Sequence, residues 1–385
     1  MIGLSTRVYL DAAAAHPVTE KAKRAFLKAL HIYGNPSAAH EEGRAAKAIL
    51  EEARTRIARQ VGAKPEALIF TANATEANAI AVRGAVKAKQ QSGVALTDIH
   101  LLYLSAAHAS VAKTMEALKS EGARVDQIPL QNGEVDLQAL AALIGPETLL
   151  ISIEAVSSET GARVDGRALK RILPSNVILH VDASQAPLVE PIDRTRFGAD
   201  LMTLDASKIG GVRGIGVLVT HARVALVSVL EGGGQERSLR SGTESPALAL
   251  AFATALEEAA ASRETFVTRS QKLRSALIAR IRKEIPDALL NEGADNAPHI
   301  VNLSFLGRDT DYLVAILSKK GFAVSTRSSC ETDSEEGSRA VLSQTGDVVR
   351  ATSTLRISWS SSITEGELER FSRALVEGVR FLDRE

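Results

Sequence analysis

The chain has 385 residues, 45% of them hydrophobic and 24% charged, with 46 lysines and arginines against 46 aspartates and glutamates. That length and apolar content are those of a globular protein with room for two ordinary domains, and they exclude extended disorder. A zero net formal charge leaves no global field to draw in nucleic acid or an anionic membrane, so any anion must be held locally. No apolar run reaches the roughly 18 to 20 residues of a membrane span. Asp11 interrupts the first apolar stretch, which argues against a signal peptide and for a cytoplasmic protein.

Read in chain order, an amphipathic stretch over 45–61 predicts a helix. Strand-length runs, apolar on both faces, follow at 68–70, 100–104, 149–153, 177–181, 201–204 and 216–219, with amphipathic stretches over 76–89, 111–122 and 136–143 between them. Strands separated by helices specify an α/β fold with a parallel or mixed sheet. After about residue 245 the pattern changes to a long Ala-rich helix over 246–262 that continues through 265–285. A strand at 300–305, a helix over 311–320, a polar loop around Cys330, a strand at 355–359 and a last helix over 364–382 complete what reads as a smaller α+β unit.

Cys330 is the only cysteine, so it closes no internal disulfide and builds no sulfur-rich zinc site. Its neighbours, Arg327-Ser328-Ser329 before it and Glu331-Thr332-Asp333-Ser334 after it, include no apolar residue to pack the thiol, which marks an exposed and reactive one. Arg327 would lower the thiol pKa, whereas Glu331 and Asp333 would raise it. Lys208 follows a strand and precedes Ile209-Gly210-Gly211, a place where an α/β protein can present an amine for Schiff-base chemistry, although a solvated loop lysine fits the same segment. Asp182 closes the preceding strand, 26 residues earlier, and is placed either to keep a pyridine nitrogen protonated or to cap a helix. The turn Thr71-Ala72-Asn73-Ala74-Thr75 opens a helix whose free N–H groups suit a phosphate monoester or a plain cap.

Together these segments resemble the cysteine desulfurases of the class V aminotransferase type, which are fold-type I pyridoxal phosphate (PLP) enzymes. The likeness runs through Gly34-Asn35-Pro36-Ser37, Asn73-Ala74-Thr75-Glu76, His108, Glu159-Thr160-Gly161, His180-Val181-Asp182-Ala183-Ser184-Gln185, Ser207-Lys208, Arg240-Ser241-Gly242-Thr243, Ser328-Ser329-Cys330 and Leu355-Arg356-Ile357-Ser358. It implies a large, mostly parallel-sheet PLP-binding domain over 15–245. A small α+β domain, formed by 1–14 and 246–385, would carry the Cys330 loop. It also implies a homodimer that turns L-cysteine into L-alanine and passes a Cys330 persulfide to a sulfur-acceptor protein, such as an iron–sulfur scaffold or a tRNA-thiolation protein. By resemblance, Lys208 looks like the lysine that bonds the cofactor, Asp182 the partner of the ring nitrogen, His108 the imidazole stacked on the ring and a proton relay, and Gln185 the donor to the ring hydroxyl. Ala74, Thr75, Ser207 and Thr243 from the partner subunit look like the phosphate cradle, and Arg356 like the grip on the substrate carboxylate.

The chain also departs from the family pattern. Ser158 stands where an asparagine usually meets the ring hydroxyl, Ala12 to Ala15 replace a hydroxyl-bearing segment, and Arg327-Ser328-Ser329-Cys330 stands where the family favours Gly-Ser-Ala-Cys. Asp205, in Asp205-Ala206-Ser207-Lys208, puts a carboxylate where a phosphate-contacting hydroxyl is usual. Either Asp205 points away, or a cation separates it from the phosphate, or phosphate affinity is reduced. Two other functions fit these departures: a PLP-dependent lyase or aminotransferase for a different amino acid, and a non-catalytic binding or regulatory paralogue.

Overall fold

The computed structural model describes residues 7–131, 133–326 and 337–384. Cys330 and the rest of 327–336 lie outside the described residues. Seven strands form the main sheet: β1 (Leu68–Thr71), β2 (His100–Leu104), β3 (Arg124–Ile128), β4 (Thr148–Glu154), β5 (Ile178–Asp182), β6 (Leu201–Asp205) and β7 (Gly216–Thr220). Their order is β1-β7-β6-β5-β4-β2-β3. Only β7 runs against the others, pairing antiparallel with both β1 and β6. The α/β expectation holds, and the apolar strands are covered on both faces, as their composition demands.

Of the main-sheet strands, β3, Arg-Val-Asp-Gln-Ile, is missing from the sequence reading; it lies on the sheet edge. An edge strand faces solvent on one side, so it alternates in polarity and lacks the continuous apolar run that marks its neighbours. The long helix expected after residue 245 is one continuous 39-residue helix, Pro246–Glu284, because neither Gly nor Pro interrupts the run after its first residue.

A second, three-stranded sheet consists of β8 (Leu289–Leu290), β9 (Ile300–Ser304) and β10 (Thr354–Ser358). Residues 8–12 dock against this part of the chain: Val8–Tyr9 pairs with Phe322–Ala323, and the Ser358 N–H donates to the Leu10 carbonyl at 2.8 Å. That docking carries residues 13–16 across to the carboxyl ends of the main-sheet strands, where β5 and β6 deliver Asp182 and Asp205. Among the described residues no helix is long and apolar enough to cross a membrane.

Two histidines are buried in neutral form. His180, inside β5, bonds the hydroxyls of Ser152 at 2.8 Å and Thr203 at 3.1 Å, and burial pushes its pKa down to about 4. Burial, reinforced by His16 and Arg274, pushes His299 down to about 3. Because both folded values lie below that of an unfolded histidine, the unfolded chain binds more protons as pH falls below about 6.5, and stability falls with it. Unfolding by urea should show a loss of roughly 4 kcal/mol from these two groups between about pH 7.5 and pH 5. An unchanged midpoint over that range would mean that these imidazoles are not buried and neutral.

Candidate active site

The carboxyl ends of β1, β2, β4, β5 and β6 form one rim, the usual ligand edge of an open α/β sheet. At this rim β7 begins with Gly216, which is paired with Thr71 on one side and with Asp205 on the other. A β-carbon at Gly216 would stand 2.7 Å from the carbonyl carbon of Asn73 and 2.9 Å from the carbonyl oxygen of Leu204. Only glycine lets the ends of β1 and β6 approach so closely.

Lys208 sits in the turn after β6, and its Nζ donates to the carbonyls of Ala14 at 2.7 Å and Ala13 at 3.2 Å. Gln185 Nε2 donates to the same Ala13 carbonyl at 2.8 Å, so Lys208 and Gln185 share one backbone acceptor. The alanine segment has lost hydroxyls, but its backbone holds both side chains. Gly210 lets the chain turn just beyond the lysine; its φ of +87° is one a side chain would strain.

Asp182 is buried, with Oδ1 accepting from the Ser184 N–H at 3.0 Å and the Ser184 hydroxyl at 2.6 Å. Its Oδ2 accepts from Asn78 Nδ2 at 2.8 Å. Asn78 also donates to Ser110 Oγ at 2.9 Å, which lies 2.9 Å from His108 Nδ1. A continuous polar chain therefore links the Asp182 carboxylate to the His108 ring. The Ser110 N–H donates to Nδ1 at 3.1 Å, which leaves the proton of neutral His108 on Nε2. The His108 N–H in turn donates to Glu154 Oε1 at the end of β4.

Asn78 and Ser110 are site residues that the sequence reading missed. Asn78 carried one signal: it is a polar residue on the same helical face as Ala77, Ile80 and Ala81, all buried. Ser110, one residue into its helix, has no distinguishing local signal, since a serine at a helix start commonly serves as a cap.

Arg356, in the middle of β10, is 1% exposed. Its Nη2 donates to Asp11 Oδ1 at 2.7 Å and its Nη1 to the Ser158 carbonyl at 3.0 Å, whereas its buried Nε has no partner among the described residues. The Ser158 contribution is thus a backbone one, from the turn after β4. That turn is fixed to the second sheet by Asn302 Nδ2, which donates to the Glu159 carbonyl at 3.1 Å, and by the Ala297 N–H, which donates to the Gly161 carbonyl at 2.8 Å. Asp11 is the other missed residue, because 345 residues separate it from Arg356.

The helix that begins at Ala74, Ala74–Gln91, is capped by Asn73, whose side chain accepts from the Glu76 N–H at 3.0 Å. The Ala74 N–H donates instead to Asp205 Oδ2 at 2.8 Å. Asp205 Oδ1 accepts from the Ser207 N–H at 2.8 Å and the Ser207 hydroxyl at 2.6 Å. Asp205 therefore does not point away: it faces the Ala74 and Ser207 donors expected for a phosphate, and it has no ion pair among the described residues. Thr75 is exposed beside the cradle. Thr243 is exposed on the loop ahead of Pro246–Glu284, which Arg240 ties to the cradle helix through Glu76 at 3.1 Å.

Measured against PLP, this constellation divides in two. The ring end fits, with an amine, a buried carboxylate and an imidazole on neighbouring strand ends. The phosphate end has the right donors, but its own carboxylate already occupies them.

Sheet order, rim and strand-end lysine define the class, and the sequence model of the family described as "Aminotransferase class-V" matches residues 8–371. "Cysteine desulfurase IscS" of Photorhabdus laumondii is 34% identical over 371 residues, covering 94% of this chain and 90% of that one. A solved structure titled "NIFS-LIKE PROTEIN" superposes with a TM-score of 0.90 at 27% identity, covering 98% of this chain and all of its own. Another, "SspA in complex with cysteine", gives a TM-score of 0.76 at 28% identity over 91% of this chain and 98% of that one. Within the class V aminotransferases, the chain belongs to the cysteine desulfurase family.

Proposed function

We propose that this chain is a PLP-dependent L-cysteine desulfurase that works as a homodimer and passes a Cys330 persulfide to an acceptor protein. The observation that carries the reading is Arg356, a buried guanidinium whose Nε has no partner among the described residues and whose Nη2 is held by the side chain of Asp11. A substrate carboxylate meets that need, because it can accept from two guanidinium nitrogens at once.

Bound PLP supplies an electron sink for the charge left when a proton leaves the substrate α-carbon. Asp182 would hold the proton on the ring nitrogen, and Asn78 and Ser184 orient its carboxylate. Gln185 and Ser158 would lie beside the ring hydroxyl and His108 against the ring face. Ala74, Thr75 and Ser207, with Thr243 of the partner subunit, would hold the phosphate. Lys208 leaves the carbonyls of Ala13 and Ala14 to move the α-proton, and His108 presents a proton at Nε2. The Cys330 thiolate attacks the substrate sulfur: an S–S bond forms, the C–S bond breaks, and its electron pair stays with the β-carbon, which is protonated to leave alanine.

L-Cysteine given to the PLP-loaded protein with a dithiol reductant should yield alanine and sulfide one for one, and Cys330→Ala should yield no sulfide. Turnover of L-cysteine or another amino acid that survives Cys330→Ala would favour a lyase or aminotransferase instead. A protein with no turnover and no cofactor binding would be the non-catalytic paralogue.

A further inference from the structure

We infer that Asp205 is a built-in anion that competes with the cofactor phosphate for its cradle, so that this chain binds PLP more weakly than its other contacts allow; the inference rests on the PLP reading above. Three donors converge on the one carboxylate: the Ala74 N–H from the start of the helix after β1, and the N–H and hydroxyl of Ser207 from the turn after β6. The two Ser207 bonds are local and match an ordinary cap of a short turn. The Ala74 bond is not, since it joins residues 131 apart across the β7 start that Gly216 keeps bare.

Asp205 is 7% exposed and receives the N–H of the first residue of an 18-residue helix, where the helix dipole favours one negative charge. A phosphate needs the same N–H and the same serine. Two anions sharing three donors in a largely buried site repel, and no cation among the described residues pairs with Asp205 to relieve them. Arg240, the nearby arginine on the loop that carries Thr243, is engaged with Glu76. For a phosphate to enter, Asp205 must give up the Ala74 bond and rotate away. Pyridoxal, which has the same ring without the phosphate, does not face that requirement.

The test compares PLP and pyridoxal binding by absorbance titration of the cofactor-stripped full chain, as wild type, Asp205→Ser and Asp205→Asn. Both variants should bind PLP at least about tenfold more tightly than wild type, with pyridoxal affinity changed less than about threefold. Unchanged or weaker PLP binding in both variants would overturn the inference, as would an equal gain for PLP and pyridoxal, which would locate the effect at the ring. If neither ligand binds any version, the PLP reading falls and inorganic phosphate decides the cradle. A phosphate-dependent rise in melting temperature in the variants but not in wild type supports competition by Asp205, and no rise in either variant refutes it.

Discussion

Lys208→Ala is expected to lower turnover of L-cysteine by at least about a thousandfold while leaving the fold in place. Among the described residues at the rim, the amine is the group able both to bond a carbonyl cofactor and to carry a proton. Its Nζ donates to the Ala13 and Ala14 carbonyls, backbone acceptors that stay in place when the side chain is changed. Removing the side chain frees two carbonyls at a half-buried position, which should lower the melting temperature by only a few degrees. Lys208→Arg separates chemistry from structure: it keeps the charge and the hydrogen bonds but not a titratable amine. If Lys208→Arg restores turnover, Lys208 has a structural role and the proposed mechanism is wrong.

Glu236→Ala is the substitution with the largest expected cost in stability. Glu236 and Arg54, whose side chains are 1% and 6% exposed, form a two-pronged ion pair at 2.6 and 2.9 Å. Glu236 Oε2 also accepts from the Phe70 N–H at 2.8 Å, and the Arg54 guanidinium lies 4.7 Å from the centre of the Phe70 ring. Truncating Glu236 leaves a charged guanidinium buried beside β1, at a cost of about 3–5 kcal/mol. The same residue pins a strained loop, since Glu236, Arg237 and Ser238 have φ of 45°, 60° and 61°, unusual for residues with side chains. That loop leads to Arg240 and Thr243, so its release should loosen the cradle rim as well. Urea denaturation reads the stability loss directly. A change below about 1 kcal/mol would mean that Glu51, 3.2 Å from Arg54, suffices to hold the charge.

The fold was legible wherever burial on both faces wrote continuous apolar runs, and illegible at the β3 edge, where burial on one face wrote an alternating one. In the site, Asp182 and Lys208 stood out because Asp182 ends a buried strand and Lys208 lies in the turn just after one, positions defined by local sequence. The direction of Asp205 could not be read in the same way. It depends on register: β7 places Gly216 between Thr71 and Asp205, and only that pairing turns the carboxylate toward the Ala74 N–H. Asn78 and Asp11 escaped for a related reason. Their partners, Asp182 and Arg356, are brought to them by sheet order and by the docking of residues 8–12, neither of which has a local sequence signature. The resemblance named the residue types the chemistry needs, and the structure added what each is bonded to while it waits.

The central claim is that the rim holding Lys208, Asp182 and His108 binds PLP through Lys208. Borohydride reduction of the PLP-loaded protein, followed by peptide mass analysis, tests it most directly. The account predicts a cofactor-derived mass on the peptide that contains Lys208 and on no other, absent when PLP is withheld. A label on a different lysine, or no label in a protein that still consumes L-cysteine, would contradict it.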